Sequence, residues 1–267
     1  MAMNALEKRF NEMGARVKVV AQGARAWSQR ARGGGIAIDI KKDVEGPYFE
    51  IRTSGSISEA DLTVVDCKPK DRHLLLQAVI EGEKNKYLCG HDERDWFVAA
   101  VPGRPSGVKE AMEALKPREV QQAVRLAGVK EKDKNKRRND AFLRQGEWFF
   151  IPANDADLGN LPVLKNEPIR RGRGKPHMCQ ELVRRGGTTV YVSAKHPNGL
   201  TQESYDKLTD EQRNSQAWQV MRRDAEVYVR GRITHPDHKT IVLQGWHRVI
   251  MNTETRAAAM RHVAFLD

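Results

Sequence analysis

The sequence predicts an α+β protein with a β-rich N-terminal half, an antiparallel sheet or small barrel, and a C-terminal half that mixes helices and strands. Two observations predict it. Between Ile36 and Pro102, short apolar runs follow one another with brief polar turns, the pattern of consecutive antiparallel strands. Beyond that stretch, segments with helical spacing alternate with strand-like runs.

The elements follow in order. Leu6, Phe10 and Met13 recur at i, i+4 and i+7 and predict a helix that Gly14 ends. Arg16–Val20 reads as extended. Residues 22–35 carry Arg25, Arg30 and Arg32 around Trp27 without a period and read as a basic loop. Ile36, Ile38 and Ile40 alternate with smaller or polar residues, and Tyr48–Ile51 follows a Gly46-Pro47 turn. Further strands are expected at Leu62–Val65, Leu74–Ile80, Tyr87–Cys89 and Trp96–Val101.

A helical pair comes next. Ser106 is placed to cap a helix carrying Val108, Met112 and Leu115, and Pro117 opens a second with Val120, Val124 and Ala127, closed by Gly128. Lys130–Arg138 is dominated by basic residues and reads as an exposed linker. The expected organisation is therefore a β-rich domain at 1–104, the helical pair and linker at 105–139, and a mixed domain at 140–267.

In the last domain, Trp148–Ile151 and Thr188–Val192 read as strands, and Pro162–Pro168 as irregular. Pro176 opens an expected helix through Met178, Leu182 and Val183 that Gly186 stops. Thr201 starts a short helix, and Thr209 with Gln212 forms a capping-box pattern. Glu226–Ile233, Thr240–Leu243 and Trp246–Met251 complete the strands.

Charge bounds the partners. Of 267 residues, 46 are Lys or Arg and 35 Asp or Glu, a formal charge of +11. Unpaired cations stay at the surface, and a basic surface attracts phosphate polymers. Three widely spaced cysteines, Cys67, Cys89 and Cys179, do not make a disulfide framework. The apolar runs are too short to span a bilayer. A cytoplasmic location with no membrane association is expected.

Arg170, Arg171, Arg173 and Lys175 are the candidate phosphate contacts, because no acidic residue interrupts them and the expected helix start offers free N–H groups. Arg137 and Arg138, at the end of the basic linker, join them. His91, Asp92 and Glu93 share one turn between apolar strands and are the catalytic candidates, as groups able to hold a hard divalent cation or supply a general base. His235 and His238, three apart in a Pro-Asp turn, are candidate metal ligands, with Cys89 or His91 completing the shell. His177 and Cys179, two apart at an expected helix start, would face away from each other.

The function expected from these features is non-catalytic binding of DNA or RNA through phosphate-backbone contacts. The alternative is a metal-dependent phosphodiesterase or nuclease built on His91, Asp92 and Glu93, with magnesium, manganese or zinc as the divalent cation. A third reading is an accessory protein that binds an acidic protein surface.

Overall fold

The computed structural model describes residues 4–22, 36–54, 61–80, 82–92, 94–171 and 174–257. They divide into two compact units, one of residues up to 121 with 132–135 and 252–257, the other of 122–131 and 136–251.

In the first unit, helix α1 (Ala5–Glu12) starts at a complete capping box. Asn4 Oδ1 accepts from the Glu7 N–H at 2.8 Å, and the Glu7 carboxylate accepts from the Asn4 N–H at 3.2 Å. Such a box satisfies two N–H groups that a helix start leaves unpaired. Leu6, Phe10 and Met13 are buried as their spacing requires.

Strands β1 (Val17–Gln22), β2 (Ile36–Asp43) and β3 (Gly46–Ser54) form a sheet in the order β1-β3-β2, with β1 parallel to β3. Strands β4 (Leu62–Lys68), β5 (His73–Ile80), β6 (Glu83–Asp92) and β7 (Asp95–Val101) make an antiparallel meander.

Strand alternation gives the meander two apolar faces. Leu74, Leu76 and Ala78 pack with Phe10, Phe49 and Trp96. Those three rings meet edge to face, with centroids 5.2 and 5.6 Å apart, a favoured aromatic geometry. Leu75, Leu88, Ala99 and Val101 pack instead with Val108 and Ala111 of helix α2 (Val108–Ala114) and with Leu115, its C-cap. The α2 cap is not Ser106: Asp66 Oδ2, from β4, accepts the Val108 N–H at 2.9 Å, and Ser106 bonds Glu110. Helix α3 (Arg118–Leu126) follows.

The second unit is built on strands β8 (Leu143–Gln145), β9 (Trp148–Pro152), β10 (Leu164–Ile169), β11 (His177–Arg185), β15 (Glu226–Thr234) and β16 (Ile241–Met251). They form one antiparallel sheet in the order β10-β11-β15-β16-β9-β8. Its inner face buries Trp148, Phe150, Ile169, Cys179, Leu182, Val227, Val229, Ile233, Leu243 and Val249. A smaller sheet joins β12 (Thr188–Val192), β13 (Leu200–Thr201) and β14 (Gln219–Arg223), with short helices α4 (Gln202–Asp206) and α5 (Asp210–Asn214) between the last two strands. The Thr209–Gln212 capping box forms at α5. The chain then returns to the first unit. The Thr253 N–H donates to Leu115 O at 3.1 Å, and Glu254 Oε1 accepts the Ala100 N–H at 3.1 Å.

This architecture corrects the expected fold class. The protein is mainly β, with sheets spread along the whole chain rather than a β N-terminal half followed by a mixed half. The main error is at Pro176. The segment after it is strand β11, hydrogen-bonded to β10 on one side and β15 on the other. Two ladders outweigh a helical preference worth only tenths of a kcal/mol per residue. Pro162–Pro168, expected to be irregular, supplies most of β10, and Pro168 is tolerated because β10 is an edge strand. The two strands expected at 240–251 are one continuous strand, β16, with a register shift beside Gly231 of its partner.

Candidate metal centre

Three turns of the second unit meet at one end of the large sheet. His177 is the first residue of β11, opposite Ile169. It shares a face with Cys179 and so extends the core row to the end of the sheet. The β15–β16 turn, residues 235–240, supplies His235 and His238. The β8–β9 hairpin turn, Gly146-Glu147, closes the group from the third side.

The three imidazoles stack. Centroids lie 4.2 Å apart for His177 and His235, 4.5 Å for His235 and His238, and 5.6 Å for His177 and His238, with planes inclined by 25–27°. One ring nitrogen from each lies within 4.8 Å of the others. Zn–N bonds of about 2.0–2.1 Å in a tetrahedron put ligand nitrogens roughly 3.3 Å apart. Closing that difference requires the stacked rings to rotate until their in-plane lone pairs converge on one point.

Gly146 makes the approach of the third turn possible. Its φ is +57°, a conformation that costs glycine little. A Cβ there would lie 2.9 Å from His238 Nε2 and 3.5 Å from His177 Nε2. The backbone of this turn therefore faces the nitrogens of two candidate ligands. Gln145, beside it, donates from Nε2 to Lys239 O at 2.7 Å and ties the hairpin to the histidine turn. Lys175 Nζ reaches both Asp237 carboxylate oxygens, at 2.7 and 2.8 Å, and ties the β10–β11 loop to the same turn.

The site concentrates unpartnered polar atoms. His177 is 1% exposed, and neither Nδ1 nor Nε2 has a hydrogen-bond partner. Gln145 Oε1 and Trp148 Nε1, both on side chains with 0% exposure, are orphaned as well. The Trp148 indole stands at 75° to the His177 ring, with centroids 6.5 Å apart. A buried polar atom left unpaired costs about 1–3 kcal/mol, so four in one place need a physical reason.

Burial and mutual repulsion disfavour protonation of His177 and His235. Burial, then the neighbouring His235 and His238, push the His177 pKa down to about 3. Burial and then His238 also lower His235. Neutral imidazole is the ligating form. The Asp237 N–H donates to His235 Nδ1 at 3.1 Å, so ligation through Nε2 of His235 requires the other tautomer and gives up this bond. The Cys179 thiol, pushed up to about 12 by burial, stays protonated and belongs to the core.

The other expected site residues lie elsewhere. His91 and Asp92 are consecutive on β6 and so project to opposite faces; Glu93 and Arg173 lie outside the described residues, as does the basic loop around Trp27. His91 packs against the Trp96 ring at 5.0 Å, and burial, followed by nearby Arg72, lowers its pKa. Cys89 is buried in the first unit's core. Among the described residues, the one group of three metal-type ligands is His177, His235 and His238.

Arg170 is exposed and Arg171 half-buried, both on the β10–β11 loop. That loop leads into a strand, so it lacks the helix start expected to favour an anion, and Lys175 is engaged by Asp237. Arg137 and Arg138 are not on a free arm: Arg137 O accepts the Arg144 N–H at 2.7 Å, and Arg138 bridges to Leu143.

Sequence reasoning missed His177, Gln145, Gly146 and Trp148. Reading Pro176–Arg185 as a strand would have put His177 and Cys179 on one face and exposed the first of them as a ligand. No helix among the described residues is long and apolar enough to cross a membrane. Compared with known proteins, the sequence matches no family model and no curated relative, and the fold matches no solved structure.

Proposed function

We propose that the second unit binds a zinc-class divalent metal through His177, His235 and His238. The observation that carries this reading is the His177 ring, almost fully buried with both nitrogens unpartnered and two further imidazoles stacked 4.2 and 5.6 Å away. Three imidazole nitrogen donors suit zinc, cobalt, nickel or copper, whereas magnesium and manganese favour oxygen ligands. Three protein ligands leave a coordination position open, the arrangement of hydrolytic rather than purely structural zinc sites.

Metal analysis of protein purified without chelator, followed by zinc titration of the stripped protein, tests the proposal. One zinc per chain is expected in the wild type and none in His177→Leu. A stripped wild type that takes up no zinc, cobalt or copper removes the reading.

A second reading, binding to DNA or RNA, draws support from the +11 charge and from Arg170 and Arg171 on the loop that leads to His177. Arg170 is exposed and has no ion pair among the described residues. Binding is then salt-dependent, and removing one Arg–phosphate pairing lowers the slope of log K against log salt by about 1. An unchanged slope in Arg170→Ala/Arg171→Ala excludes these residues from the nucleic-acid interface.

A further inference from the structure

We propose that Gln145 and Trp148 hold an oxygen ligand, water or hydroxide, on the open position of the metal. This rests on the three-histidine reading above and adds two residues to it.

The Gln145 amide has one permitted orientation. Its partner Lys239 O is a carbonyl and can only accept, so the NH2 group must face it. Oε1 is then fixed on the other side, fully buried and without a donor. Trp148 is the cross-strand partner of Gln145 in the β8–β9 hairpin, so the two side chains share a face. On that face the indole meets His177, and Nε1 lacks an acceptor. One orphan acceptor and one orphan donor thus stand beside the candidate ligands, on a rigid hairpin whose turn touches two of them through Gly146.

Their polarities match a metal-bound water. One of its lone pairs goes to the metal, and the other accepts from the Trp148 indole N–H. One of its protons goes to Gln145 Oε1. A purely apolar neighbour would satisfy neither orphan, and a fourth protein ligand would leave one of them unpaired.

The two contacts act oppositely on the acidity of that water. An indole donor stabilises hydroxide more than water, whereas an amide acceptor stabilises the stronger donor, water. Cobalt replaces zinc and reports the ligand through its visible d–d bands. The experiment loads wild type, Trp148→Phe and Gln145→Leu with cobalt and follows each spectrum against pH. The expected midpoint rises in Trp148→Phe and falls in Gln145→Leu, each by about half to one pH unit.

Cobalt bound in all three proteins with an unmoved midpoint overturns the assignment and leaves the metal site standing. No cobalt in the wild type defeats the metal reading itself. A parallel measurement needs no variant. Indole N–H signals from the five tryptophans are recorded before and after zinc loading, and one is expected to move downfield and exchange more slowly. If none of the five responds while zinc is bound, the proposal is refuted.

Discussion

Replacing His177 by Leu separates what this residue does for stability from what it does for metal binding. The His177 pKa lies near 3 in the fold against an ordinary 6.5. The unfolded chain therefore binds the proton first, and stability must fall as pH drops. The contribution is complete above about 6.5 and is lost progressively down to about 3. Each pH unit in that window costs about 1.4 kcal/mol, so the metal-free protein loses about 2 kcal/mol between pH 6.5 and 5 through this group alone. Leucine has no such titration, and it removes two orphaned nitrogens at comparable volume. Urea unfolding of both proteins in chelator, at pH 7.5 and pH 5, checks this difference. His177→Leu should match or exceed the wild type at pH 7.5 and lose about 2 kcal/mol less on acidification. Zinc at a hundred times its dissociation constant should add about 2.7 kcal/mol to the wild type and nothing to the variant. Equal pH slopes in the two proteins would refute the buried, neutral assignment of His177.

Gly146→Ala combines a strained backbone at φ +57° with a Cβ 2.9 Å from His238 Nε2; a loss of about 1–3 kcal/mol in urea unfolding and about tenfold or more weaker zinc binding by titration are expected. Asp66→Ala should destabilise the first unit by about 1 kcal/mol through removal of the α2 cap, and Ser106→Ala should cost clearly less, both measured by thermal unfolding.

Much of the first unit is legible because its contacts are close in sequence and its alternation is clean. Leu6, Phe10 and Met13 name their own helix face, and the meander from β4 to β7 follows from Leu74, Leu76 and Ala78 facing one way and Leu75 the other. The second unit is harder for a physical reason. Strand β11 gains its stability from β15, about fifty residues away, and its Leu182-Val183 pair has no period that separates strand from helix. The same error hid the site. His235 and His238 stand out as a pair in one turn, but His177 on a helix would point away from its neighbours, and only the strand geometry brings it to them. The run Lys130–Arg138 reads correctly as basic, yet charge says nothing about backbone pairing, so the bonds from Arg137 and Arg138 back to Arg144 and Leu143 leave no sequence signal.

The site gathers several exceptions to a general rule of folded proteins. Buried polar groups are paired because each orphan costs about as much as a sizeable core truncation. At this end of the sheet, two side-chain ties hold the β8–β9 hairpin and the β10–β11 loop to the histidine turn, Gln145 to Lys239 O and Lys175 to Asp237. A fold selected only for stability has an easy remedy, since Leu at 177 and Met at 145 would fill the same space without the penalty. Polar groups kept at these positions against that alternative support the proposed binding site. On the proposed reading, the nitrogen donors set the kind of ligand, a cation of zinc type.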